Sequence, residues 1–420
     1  MKNCFKPADI LLPEFAADAG KMHTWACVAC DQYTSEPEYW NDVEAIVGDA
    51  PSTLRITLPE LYLSDAAARI PAINAAMDAY MAQNVLCEHK NTMIYLERRQ
   101  KNGKIRRGLV GAIDLECYDY NKGAKSLVRA TEGTVLERIP PRVKIREGAP
   151  VELPHIMILI DDPAHTVIEP LIGNTDALAQ AYDFDLMKNG GHASGWFLSD
   201  PEIVRVTDAL EALCASEAAK QDCENPLVFA MGDGNHSLAS AKAFWEQTKA
   251  ALTEAERASH PARYALCEIV NIHDEALEFE PIYRVVFGVK PDALISELAA
   301  YLDSLPASDI VPQSFEVIAG EKSDTLTAKN PTSLLPVGTL QTFLDAYIKA
   351  HDGVSVDYIH GVESTRKLAS AEDAVGFLFE GMGKSELFPT VVRDGALPRK
   401  TFSMGEADDK RFYLEARKIK

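Results

Sequence analysis

Two rhythms of hydrophobic and polar positions run along the chain. Short apolar runs appear at Pro226 to Ala230, Pro154 to Ile160 and Tyr264 to Val270. They have the length and uniform hydrophobicity of strands buried on both faces. Between them lie segments with apolar residues at helical spacing. From Pro37 these are Tyr39, Trp40, Val43, Ile46 and Val47; further segments run from Asp65 to Ala82, from about Pro201 to Lys220, and onward from Leu238. This alternation predicts an α/β core. Asn102-Gly103, set between Thr92 to Glu97 and Ile105 to Cys117, is the strongest hairpin signal in the chain. Trp25 to Cys30 also reads as a strand, followed by the polar loop Asp31 to Ser35.

After Phe287-Gly288 the pattern changes. Helices at Pro291 to Leu305 and Thr339 to Ala350 alternate with strands near Phe315 to Ile318, Val354 to Ile359 and Val375 to Leu378, and a charged helix is expected to run to Lys420. The predicted organisation is a core over 1–287 and a mixed α/β unit over 288–420 that returns a basic segment to the site. The fold class is α/β in the broad, mixed α+β sense. A chain of 420 residues is long for a single core, which agrees with two domains.

Composition narrows the function classes. Hydrophobic residues make up 47% and charged residues 25%, as in globular proteins. Subtracting 63 acidic from 42 basic residues gives −21, which repels a nucleic-acid backbone but leaves room for a local anion pocket. Lys2 to Ala17 lacks the succession of a secretory signal, and no apolar run approaches the ~20 residues that span a bilayer. The expectation is a cytoplasmic protein with no membrane or nucleic-acid partner; whether it is a homo-oligomer is open. The eight cysteines are scattered and read as reduced thiols, Cys27 and Cys30 as buried structural ones.

Candidate chemistry starts at Met231-Gly232-Asp233-Gly234-Asn235-His236-Ser237, between an apolar strand and a helix. Amides at a helix start point at a ligand, the helix dipole favours negative charge, and Gly232 and Gly234 allow close approach of an oxygen. An ordinary helix cap would need only one polar side chain here; Asp233 and His236 together exceed that. Arg129 to Arg146 gathers Arg129, Arg138, Arg142, Lys144 and Arg146 in a chain that is otherwise acidic, with Thr131 and Thr134 as short donors and Glu132 among them. If extended, it sets Arg142, Lys144 and Arg146 on one face; Pro140-Pro141 forbids one continuous helix through it. Surface ion pairs with Glu132, Glu137 and Glu147 are the alternative. Arg399, Lys400, Thr401 and Ser403 form a third group of donors, and Asp31 follows a predicted strand, where ligand-contacting groups are common. Asp161-Asp162 could hold a metal or cap a turn, and the glycine-rich Lys188 to Trp196 could close over a ligand. Gly381-Met382-Gly383-Lys384-Ser385 is no P-loop, because Leu378 stands where that motif needs glycine.

Met231 to Lys242, Arg129 to Arg146, Leu397 to Gly405 and Asp31 to Ser35 together resemble the bacterial family called domain of unknown function 1015. That family is similar to the ParB/sulfiredoxin superfamily, whose members hold nucleotide phosphates on a turn such as D-G-x-H at a helix start. The resemblance implies a ParB/sulfiredoxin-like core, with Asp233, Gly234, Asn235, His236 and Ser237 as the matching turn. Asn235 stands where sulfiredoxins keep their nucleophilic cysteine, and Ser237 where an arginine usually follows, so the cation would come from Arg129, Arg138, Arg142 or Lys400. The ADP-dependent free serine kinase branch shares the D-G-x-H turn and uses an acidic residue on the substrate hydroxyl.

The expected function is phosphoryl transfer between a nucleotide, ADP or ATP with Mg2+, and a small hydroxylated metabolite such as serine or phosphoserine. Asp233, His236, Glu132 and Asp31 are the candidate catalytic groups. Gly232, Gly234, Asn235, Ser237, Arg129, Thr131, Thr134, Arg138, Arg142, Arg399, Lys400 and Thr401 are the candidate ligand-binding ones. A phosphatase using the same cradle, or a non-catalytic sensor of a phosphorylated metabolite, would use the same residues differently.

Overall fold

The computed structural model describes residues 3–420. It divides into two compact units: the described residues of Met1–Ala130 with Thr134–Leu277 and Gly405–Lys420, and Glu278–Met404 with Thr131–Gly133.

The first unit is built on a ten-stranded mixed sheet. Its middle strands, Tyr264–Asn271, Met157–Ile160 and Phe229–Asp233, are the apolar runs of the sequence, and Met157 to Ile160 are all buried. Tyr264–Asn271 and Met157–Ile160 pair in parallel, while Phe229–Asp233 runs antiparallel to Met157–Ile160. One rung therefore carries Asp233, Met157 and Glu268 in a row. The register slips between Met231 and Asp233, so Gly232 is the extra residue of a bulge that re-aims the strand end. The expected hairpin joins Ile94–Arg99 to Ile105–Asp114, with Gly103 at φ +83°.

The second unit holds a six-stranded sheet centred on Phe279–Phe287, with every pairing antiparallel. Helices Pro291–Ser304 and Pro336–Ala350 bury Leu294, Leu298, Leu302 and Leu340, Leu344 respectively. The whole fold is mixed α/β.

Several local expectations are corrected. Trp25 ends a helix, Ala19–Trp25, capped by Asp18; Ala26 to Cys30 is irregular chain with a single bridge, Val28 to Phe412. Ile139–Gly148 is helical, because Pro140 and Pro141 occupy its first turn, where no amide is needed. Arg142, Lys144 and Arg146 therefore do not line one face of an extended strand. Lys188 to Trp196 is the turn and second strand of a hairpin, Ala179–Asp185 with His192–Phe197, rather than a closing loop. The chain end is not a charged helix. Arg411 to Ala416 are buried, Ala416 bridges Leu11, and Arg417–Lys418 pairs with Val151–Glu152.

Candidate functional site

Phe229–Asp233 hands over to the helix Asn235–Lys249 through Gly234, at φ +79°. A Cβ at Gly234 would lie 3.1 Å from the Ile156 Cα and 3.5 Å from the His155 ring, so backbone conformation and space both require glycine. No side chain caps the helix start. Asp233 accepts the Gly234 N–H at 2.8 Å through one carboxylate oxygen and meets Lys410 at 3.4 Å through the other. The Asn235 Oδ1 and the Thr134 Oγ1 are buried without a hydrogen-bond partner. His236 accepts the Val135 N–H at its Nε2, 3.4 Å away, which brings the loop carrying Thr134 against this first turn.

Beside the turn sits a second acid–base pair. His155 Nε2 lies 3.4 Å from the Asp31 carboxylate, and its Nδ1 lies 2.9 Å from the Tyr413 hydroxyl. Burial opposes the charge on His155, but Asp31, then Asp233 and Glu60, outweigh it and raise its pKa. Burial also pushes Asp31 upward, yet His155, Gln32 and Lys410 draw it well below the usual carboxylate range. The carboxylate thus favours the protonated form of the imidazole that faces it. Arg142 bonds Glu60, whose own N–H donates to the Cys30 carbonyl at 2.7 Å, fixing the loop that carries Asp31. Asp31, His155, Asp233, Lys410, Glu60 and Arg142 thus bring three carboxylates together with two cations and an imidazole at the helix start. Among the described residues, no group of three metal-ligating side chains converges here.

The structure brings Asp31, Asp233, Gly232, Gly234, Asn235, His236, Thr134 and Arg142 into this one region, with Ser237 in the same helical turn. Arg129 is elsewhere: its guanidinium donates to the carbonyls of Ser126 and Asn225, at 2.8 and 3.0 Å. Arg138 is exposed at the start of the helix Ile139–Gly148. Thr131, Glu132, Arg399, Lys400 and Thr401 belong to the second unit. There Glu132 bridges Leu397, and burial raises its pKa against the N–H groups of Lys400 and Thr401 and the charges of Arg284 and Arg399. Arg284, fully buried, donates to the carbonyls of Arg399 and Lys400 at 3.0 and 3.1 Å. Thr401 Oγ1 donates to the Pro398 carbonyl at 2.8 Å, and Lys400 is at φ +50°. Glu132 and Arg284 thus clasp the backbone of this turn from its donor and acceptor sides.

His155 and Lys410 were not singled out from the sequence. His155 sits at the head of an apolar run, between Pro154 and Ile156, and looks like a strand flank. Lys410 stands in a run of charges, Glu406 to Arg411, that reads as solvated surface.

Comparison with solved structures gives distant likenesses. Free serine kinase in complex with AMP is 12% identical, with a TM-score of 0.39, covering 77% of this chain and 95% of that one. A conserved hypothetical protein from Pyrococcus furiosus is 14% identical (TM-score 0.35; 74% and 94% covered). SbnI with a C-terminal truncation, from Staphylococcus aureus, is 12% identical (TM-score 0.37; 74% and 87% covered). No curated protein matches by sequence. A family model described as "Protein of unknown function (DUF1015)" matches residues 11–347, most of the chain, and the protein belongs to that family.

Proposed function

We propose that the turn Asp233 to Ser237 holds the phosphates of a nucleotide, and that the protein transfers a phosphoryl group between that nucleotide and the hydroxyl of a small metabolite. The observation that carries this reading is the uncapped start of a 15-residue helix, entered through a left-handed glycine, with the unpartnered Asn235 Oδ1 and Thr134 Oγ1 beside it. Such a start supplies oriented N–H donors and the positive end of a dipole. Thr134 adds a hydroxyl that can donate to a phosphate oxygen. The Asn235 amide can turn its NH2 toward the same ligand, since oxygen and nitrogen are interchangeable by rotation.

Phosphoryl transfer asks for positioning and charge neutralisation more than covalent chemistry. Lys410 and His155, whose protonated form Asp31 favours, lie next to the turn and offset phosphate charge. Asp31, held ionised, orients the attacking hydroxyl and receives its proton as the new P–O bond forms and the bond to the leaving nucleotide oxygen breaks. Magnesium bound through the phosphates would neutralise further charge. One or two carboxylates suffice for an ion held in that way, and Asp31 and Asp233 are the carboxylates at hand. Serine and phosphoserine are the substrates to try first.

The test is incubation with ADP or ATP, magnesium and serine, and in reverse with phosphoserine, while following phosphorylated products; Asp31→Asn is the control. Product that depends on nucleotide and is lost in Asp31→Asn is the expected result. Phosphate released from phosphoserine without nucleotide would mean a phosphatase, and tight nucleotide binding without turnover a sensor. Absence of both binding and turnover would sink the reading.

A further inference from the structure

A cavity of about 450 Å³ opens elsewhere on the first unit, where the strands Phe5–Lys6 and Arg417–Lys418 and the segment Ser259 to Tyr264 surround it. Its volume falls in the range of small-molecule sites. Lys6, Arg417, Lys418 and Lys420 line it, against two carboxylates, Asp9 and Glu88. In a chain with a net charge of −21 that is a local reversal of sign.

The partners of these groups show what charge is left over. Arg417 is buried, ion-paired with Glu152 at 3.3 Å and bonded to the Tyr264 carbonyl at 2.8 Å, so it is fixed and largely neutralised. Lys418 pairs with Glu88 at 2.8 Å. Asp9 accepts the Asn91 N–H at 2.8 Å and keeps its charge, since that donor is neutral. Lys420 donates to the Glu147 carbonyl, a neutral acceptor, at 2.7 Å. Lys6 has no carboxylate partner among the described residues; its ammonium lies 5.5 Å from the centre of the Tyr264 ring. The guanidinium groups of Arg263 and Arg417 are 5.6 and 5.9 Å from the same ring. Lys6 and Lys420 thus stand against the single remaining carboxylate, Asp9, and this concave site beside the Tyr264 ring keeps an excess of positive charge that suits it to negative charge.

We propose that this cavity binds a small, multiply charged organic anion, a phosphate ester or polycarboxylate, contacted by Lys6, Lys418 and Lys420 above Tyr264. It shares none of its lining with the turn at Gly234, so it is a separate site and does not rest on the phosphoryl-transfer reading. Glu88 would yield Lys418 to a ligand that offers more charge, as an ion pair at the surface is worth little on its own.

Calorimetric titration with inorganic pyrophosphate and, separately, with citrate tests this, because the two probes distinguish phosphate from carboxylate preference. Three variants are compared with the wild type. Lys6→Gln breaks no ion pair, Lys6→Gln with Lys418→Gln removes two cations, and Asn235→Asp places a repelling charge at the other proposed site. The expected result is one equivalent of at least one probe whose affinity falls by about 10-fold in Lys6→Gln, further in the double variant, and not in Asn235→Asp. Affinity unchanged in Lys6→Gln, or no binding of either anion, would overturn the proposal. A probe lost only in Asn235→Asp would assign all anion binding to the turn and equally overturn it.

Discussion

Lys410 and Arg411 are neighbours in sequence, yet they serve two polar clusters of opposite design. Lys410 meets Asp233 at the helix start, where Asn235 and Thr134 keep buried atoms without partners. Arg411 is buried and bonds Glu268 at 2.9 Å and Glu415 at 2.7 Å. Arg106 holds the other oxygen of Glu268 at 3.3 Å, and the Tyr182 hydroxyl donates to Glu415 at 2.5 Å. Both clusters meet the same rung of the sheet, since Asp233 and Glu268 flank Met157. One is closed, with each charge answered by the protein; the other keeps capacity unspent. A saturated network fixes the fold, and an unsaturated one leaves something for a ligand to complete.

The largest effect should come from opening the closed cluster. Glu268→Gln leaves Arg106 and Arg411 as buried cations without their shared anion, and a loss of about 3–5 kcal/mol is expected in urea unfolding. The pH dependence follows from the same group. Burial pushes Glu268 up, but Arg106 and Arg411 outweigh it and hold its pKa below the ordinary value. A depressed carboxylate contributes stability that is present above its unfolded pKa, about 4.3, and is lost as pH falls through the folded value. The acid limb of stability against pH should therefore flatten in Glu268→Gln. An unaltered limb would show that other carboxylates control acid unfolding.

Next in size are changes to Asp31. Asp31→Asn should lower turnover by about 100-fold, the scale of a lost acid–base group, with little change in nucleotide affinity. It should also move a titration. His155 is raised by Asp31, so the stability of the pair is fully present below the unfolded histidine pKa, about 6.5, and is lost as pH rises through the folded value. The alkaline limb of kcat/KM should shift to lower pH in Asp31→Asn, because the imidazolium loses its main counter-charge. If the limb stayed in place, His155 would not be the group that titrates.

Gly234→Ala comes third. It puts a Cβ 3.1 Å from the Ile156 Cα on a residue at φ +79°, and positive φ in a side-chain-bearing residue costs of the order of 1–3 kcal/mol. Thermal unfolding measures this, and nucleotide binding should weaken alongside as the turn relaxes. Full stability with intact binding would mean that the turn tolerates another conformation.

How far these features could be read from sequence depends on how local their causes are. The turn at Gly234 was legible because strand, glycine and helix are adjacent and each leaves its own pattern. The buried strands were legible too, since apolar runs need no knowledge of partners. The segments that failed depend on distant chain. Ala26 to Cys30 takes its conformation from Arg411 to Tyr413, through Ala29 N–H to the Arg411 carbonyl and Tyr413 N–H to the Cys27 carbonyl. The chain end looked like a solvated helix because Arg411, Glu415 and Arg417 are charged, and nothing nearby announces that Glu268, Arg106 and Glu152 will neutralise them inside. His155 became a site residue only when Asp31, more than a hundred positions earlier, was folded against it. Arg129 shows the converse: a cluster of cations in sequence disperses as Arg129 finds the carbonyls of Ser126 and Asn225, Arg142 finds Glu60 and Arg146 finds Glu152.

The smallest change is the one that separates the two designs most sharply. Asn235 is the first residue of its helix, and an aspartate there lies at the positive end of the dipole, which favours the fold by about 0.3–1 kcal/mol. The same charge would face the phosphates that the turn is proposed to hold. Asn235→Asp should therefore raise the melting temperature slightly while weakening ADP binding by about 10-fold, equivalent to ~1.4 kcal/mol. A structural cap predicts the first change without the second, because a cap is improved by an acid and binds nothing. A ligand site predicts that the two move in opposite directions. Calorimetric melting and ADP titration on the same preparation read both, and a more stable variant that still binds ADP at wild-type strength would leave the turn as an ordinary helix start.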